Sequence, residues 1–192
     1  MFKSNFATAM ILSAIALMGL GLHGCNFTSS NFAPSSQTTS STPSLGDRYA
    51  FKQGGFSLQI PKGWQPKAIA DLKYEAIVDP KAIAGFSNSI NFIDEAFSGS
   101  LADYESANFQ LAEKAFKNFK TIARTEFKTD AGASGIQIAT ESEQLGNRLR
   151  QVFFIVDAPQ GTKLIVTYTC LAKDGDRFAP LFVASLKSLQ FN

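Results

Sequence analysis

Acid–base chemistry in this chain would fall to carboxylates, lysines and tyrosines, because its one histidine, His23, lies inside an apolar N-terminal run. Once that run is removed on export, no imidazole remains to act as general base, metal ligand or partner to a serine or cysteine nucleophile. Three acidic groupings are left. Asp94 and Glu95 are neighbours in a strand-like stretch, so they point to opposite faces. Asp174-Gly175-Asp176 carries a fragment of an oxygen-ligand calcium loop without the remaining ligands or the terminal Glu, and reads more simply as a turn with a helix N-cap. Glu141 and Glu143 stand across a hairpin from Arg148 and Arg150, a cross-strand charge pairing expected on a solvated face.

Other positions invite a binding role. Trp64 follows Pro61-Lys62-Gly63 and would serve either as a lid on the core or as an exposed partner anchor. Glu105 and Asn108 fall at the edge of, and inside, the apolar stripe of a long helix, where they either bond to a neighbouring strand or line a pocket. No glycine spacing approaches a phosphate-binding loop. No cofactor and no metal are therefore expected. The 18 Lys and Arg nearly balance the 16 Asp and Glu, which gives no electrostatic reason to propose nucleic acid.

The cysteines carry the most information. Leu22-His23-Gly24-Cys25 closes a run led by Lys3 and is similar to a bacterial lipobox, in which the cysteine is lipidated and becomes the new N-terminus. The apolar run is shorter than the ~20 residues a comfortable membrane span requires. Residues 1–24 are thus read as a lipoprotein signal peptide and Cys25 as the lipidation site. Cys170 is then left without a disulfide partner and reads as a small buried hydrophobe. Residues 25–47, rich in Ser, Thr, Pro and Gln, cannot bury enough apolar surface to offset chain entropy and read as a disordered tether. Residues 48–192 form one domain.

Elements that position these residues follow from periodicity. Alternation predicts strands over 56–60, 74–78, 89–97, 122–128, 134–141, 148–157 and 164–170. Ser100 with Asp103 makes an approximate capping box for a helix whose apolar stripe runs from Leu101 through Phe119. Gly146-Asn147 signals a hairpin, and residues 151–156, apolar on both faces, belong at the centre of a sheet. A last helix starts between Asp176 and Pro180, with the proline in its first turn. This order predicts an α+β fold, an antiparallel sheet covered by helices.

The stretch Gly55-Phe56-Ser57-Leu58-Gln59-Ile60-Pro61-Lys62-Gly63-Trp64 resembles the opening strand and turn of PsbP-like and DcrB-like proteins. The ending is similar too, with Phe178-Ala179-Pro180-Leu181-Phe182 opening the final helix. The resemblance implies an α-β-α sandwich and a role that is usually non-enzymatic. PsbP-like members serve photosystem II in the lumen, and DcrB-like members are envelope lipoproteins. The metal-contacting histidines of the family have no counterpart here.

The expectation is a non-catalytic envelope protein that faces the periplasm, or the thylakoid lumen in a cyanobacterium. Held to the membrane by lipid at Cys25, it would support assembly or stability of a membrane-associated complex through an unidentified protein partner. Two alternatives stand beside it: a photosystem II-associated lumenal lipoprotein, and a small-ligand or lipid carrier with a pocket between sheet and long helix. Trp64, Glu105, Asn108, Arg148 and Arg150 are the candidate partner or pocket residues.

Overall fold

A computed structural model describes residues 44–82 and 85–192. Cys25, the lipobox and most of the tether lie outside the described residues.

Among the described residues, ten strands and two α-helices follow one another. They are β1 (Leu45–Phe51), β2 (Phe56–Pro61), β3 (Gln65–Lys67), β4 (Ala76–Val78), β5 (Ser89–Ala96), α1 (Leu101–Ala115), β6 (Lys117–Lys128), β7 (Ser134–Gln144), β8 (Asn147–Ala158), β9 (Thr162–Leu171), α2 (Gly175–Lys187) and β10 (Gln190–Phe191). Seven strands form an antiparallel sheet in the order β3-β4-β5-β9-β8-β7-β6, and β1-β2-β10 form a small second sheet. The architecture is α+β. No described helix is long and apolar enough to cross a membrane.

Strand alternation sorts the large sheet into two faces. Val152, Phe154 and Val156 of β8, with Leu164, Val166, Tyr168 and Cys170 of β9, point toward α2 and the small sheet. There they meet Phe178, Leu181, Phe182 and Leu186 of α2, along with Phe51, Phe56 and Leu58. Phe153 and Ile155 of β8, Ile165 of β9, and Ile136 and Ile138 of β7 point the other way, against Tyr104, Phe109 and Ala112 of α1. The double-sided apolar pattern of β8 thus does place it between two covered faces.

Ser100 caps α1 as its spacing predicts. Its side chain accepts from the Asp103 amide at 3.1 Å while the Asp103 carboxylate accepts from the Ser100 amide at 3.1 Å, a reciprocal box.

Four boundaries differ from the sequence reading. The helical stripe does not run to Phe119: α1 stops at Ala115, and β6 opens at Lys117. Pairing with β7, where Lys117 faces Glu143 and Lys120 faces Glu141, overrides a local pattern that would continue the helix. The hairpin turn is Leu145-Gly146 and not Gly146-Asn147, since those two residues take φ of 49° and 78°, the geometry of a type I′ turn closed by Gln144 and Asn147. Pro180 lies inside α2 and not in its first turn. It forfeits one bond, to the carbonyl of Asp176 in the solvent-facing first turn. β1 begins at Leu45 instead of beyond Asp47, because Ser44 already accepts from the Lys62 amide at 3.0 Å.

Candidate functional site

The type I′ turn fixes the β7–β8 register, and that register sets Glu141 opposite Arg150 and Glu143 opposite Arg148 on the α2 side of the sheet. The pairing matches the sequence reading, but the solvated setting does not. The Glu141 side chain is 8% exposed, and Arg150 is 15% exposed. Glu141 Oε1 accepts from Arg150 Nη2 at 2.6 Å and Nε at 3.1 Å; its Oε2 accepts from Arg148 Nη2 at 2.7 Å and Nε at 3.1 Å. Lys120 Nζ, reaching over from β6, is 3.3 Å from the same carboxylate.

Burial alone would raise the pKa of Glu141. The hydrogen bonds from Arg150, Arg148 and Lys120 outweigh it and hold the group at about 2. Three cations sharing one carboxylate leave the cluster locally overcharged. Asp176 compensates in part, 3.4 Å from Arg150 Nη1.

α2 is shaped around this clamp. A Cβ on Gly175 would stand 3.0 Å from Arg150 Cγ and Cζ, so the glycine lets the arginine side chain pack closely against the helix start. Asp174 occupies the N-cap position without a side-chain capping bond, so the predicted cap is positional only. It stands instead 4.0 Å from Arg177. Beside the clamp opens a groove of about 580 Å³, lined by Glu141, Asn147, Arg148, Leu171, Ala172 and Lys173.

A second groove, of about 850 Å³, lies on the other face of the sheet between the start of α1 and the β6–β7 turn. Lys163 lies on its wall, 8% exposed and 2.5 Å from Asp157. The register aligns Glu95, Lys163 and Asp157 across β5, β9 and β8. Tyr104 Oη donates to Glu95 Oε2 at 2.5 Å. Burial, and then that bond to a carboxylate, push the Tyr104 hydroxyl far above its usual range.

The sequence candidates separate between these regions. Arg148 and Arg150 come together on Glu141. Trp64 is 8% exposed and packs edge-on against Phe178 and Phe182, inside the core. Glu105 accepts from Arg124 Nε of β6 at 2.8 and 2.9 Å, and the buried Asn108 donates to the Tyr104 carbonyl at 2.7 Å, so both belong to the α1 face. Lys120, Lys163 and Lys173 were missed. For Lys163 the signal was present: it shares with Ile165 the side of β9 that turns out to face α1.

No family model matches the sequence, and no curated protein does. Solved structures match in shape. The cyanobacterial PsbP protein (CyanoP) of Synechocystis superposes with a TM-score of 0.57 at 14% identity, covering 82% of this chain and 98% of that one. The fold is PsbP-like. LpqN of Mycobacterium tuberculosis, described as involved in cell envelope biogenesis, gives 0.55 at 15% identity over 71% of this chain and 83% of its own. A Ran-binding protein of Saccharomyces cerevisiae gives 0.54 at 10% identity, over 78% and 96%. The PsbP-like α-β-α sandwich is thus shared by proteins of unlike roles, and the likeness extends to the fold alone.

Proposed function

We propose that this protein is a non-catalytic, membrane-held envelope domain that binds another component of a membrane-associated complex. The observation that carries the reading is the direction in which its perturbed groups move. Glu141 is held ionised at about 2, burial pushes the Cys170 thiol up to about 12, and burial raises the hydroxyls of Tyr104 and Tyr168. A general acid or base works best with a pKa near the working pH. These four groups are moved away from it, and the clamp they include is built to present fixed charge.

The PsbP-like fold supports the reading, since its neighbours include an envelope biogenesis protein and a Ran-binding protein. Attachment rests on the lipobox at Cys25 and places the domain outside the cytoplasm. Cys25→Ser should move the protein from the membrane to the soluble fraction, and retention on membranes would remove the anchor. Crosslinking of the anchored form should capture one discrete partner complex at native abundance, and its absence would count against the binding role. A carrier role is a second reading, favoured by the 850 Å³ groove between the start of α1 and the β6–β7 turn, which Glu105 and Asn108 do not line.

A further inference from the structure

We infer that the end of the domain at which the chain enters lies against an anionic bilayer surface, with Lys62, Arg148 and Lys173 directed at lipid phosphates. The inference rests on the lipid anchor at Cys25 and adds an orientation and a ligand to it.

Strand register shows which residues share that end. Gln65, Val78, Ser89, Thr169, Gln151 and Thr140 are successive cross-strand partners, one row across six strands. Lys62 precedes this row on the β3 side, and Lys173 follows it just past β9. Arg148 lies beyond it toward the hairpin, and the Leu145-Gly146 turn is further out on the same side. Ser44, where the described chain begins, is hydrogen-bonded to Lys62. The basic groove and the start of the domain therefore occupy one end, four strand spacings or about 20 Å apart.

Charge at this end is unequally matched. Asp174 pairs with Arg177, Asp176 with Arg150, and Glu143 with Lys117. Lys62 and Lys173 are exposed and have no ion-pair partner among the described residues, against an exposed Asp47 and a half-buried Asp79 whose carboxylate accepts from the Lys81 amide and Asn88. Arg148 spends Nε and Nη2 on Glu141 and keeps Nη1 for the groove. Leu171 and Ala172 give that groove an apolar floor. At the opposite end, Asp130, Asp157 and Glu126 are interspersed with Lys128, Lys163 and Lys187.

The point of entry selects between the two ends. The described chain begins at Ser44, bonded to Lys62 at this end, whereas the opposite end lies about 40 Å away along the 12 residues of β8. Each basic residue near an anionic surface strengthens attachment by about fivefold.

The test uses the native acylated protein, reconstituted into vesicles of phosphatidylcholine alone or with one quarter phosphatidylglycerol, and reads lysine acetylation by mass spectrometry. Lys62 and Lys173 should react at least fivefold more slowly on the anionic vesicles, while Lys128 and Lys187 react alike on both. Flotation with both vesicles but equal labelling would overturn the orientation and leave the anchor standing. Flotation with anionic vesicles alone would remove the anchor and keep the charged face. Failure to float with either would end both. Equal protection by polyglutamate on neutral vesicles would reassign this end to an acidic polypeptide.

Discussion

The two faces of the seven-stranded sheet solve the same burial problem differently. Toward α2 the face is aromatic, with Phe154, Tyr168 and Phe182 in ring contact, and its charged cluster centres on the Glu141 carboxylate. Toward α1 the apolar patch is smaller, and a band of neutral polar residues crosses the sheet beside it. Ser89, Thr169, Gln151 and Thr140 sit in consecutive register, all at 0% exposure. Within and beside this band Asn91 Oδ1, Gln144 Oε1, Gln151 Nε2 and Thr169 Oγ1 have no hydrogen-bond partner among the described residues. A buried polar atom left unpaired costs about 1–3 kcal/mol. The α2 face carries two such atoms, Tyr74 Oη and Tyr168 Oη, so both faces give some stability back and the α1 face gives back more.

The contrast can be broken by substitution. Phe182→Ala, which removes a ring stacked on Phe178 and touching Tyr168, should destabilise by about 3–5 kcal/mol in denaturant unfolding. A loss below 1 kcal/mol would mean the α2 face is not the stable one.

Glu141→Ala should follow, at about 3 kcal/mol, because it strands two arginines and a lysine in a partly buried site. The same carboxylate predicts a pH dependence. Its folded pKa of about 2 is depressed from an ordinary 4.5, so its stabilisation is present above 4.5 and is lost as pH falls toward 2. Unfolding midpoints measured between these values should decline in the parent and decline less in Glu141→Gln.

The smallest effect is expected on the α1 face. Thr169→Val removes an unpaired hydroxyl at nearly constant shape and should be neutral or stabilising by up to about 1 kcal/mol. A loss above 1.5 kcal/mol would show that this hydroxyl is bonded in solution.

Local signals in the sequence held where the chain decides locally. The Ser100–Asp103 box, the alternation at Phe56, Leu58 and Ile60, and the double-sided run of β8 each act within a few residues. The end of α1 was not legible, because Phe116 and Phe119 suit a helix and leave it only through β7 pairing. The Glu141–Arg150 pairing was legible from the hairpin, but its burial was not, because α2 arrives 25 residues later in sequence to cover it. Nor could the chain show that Lys62 and Lys173 share one end, since that depends on strand order across the whole sheet.

The place of β9 has a consequence in time. It is the last strand of the large sheet to be made, yet it lies in the middle, between β5 and β8. Until Leu171 has emerged, β3-β4-β5 and β6-β7-β8 are separate fragments with bare inner edges. β10, which completes the small sheet beside β2, comes only with the final residues. A chain made from its N-terminus would therefore present Cys25 first and complete its tertiary structure last.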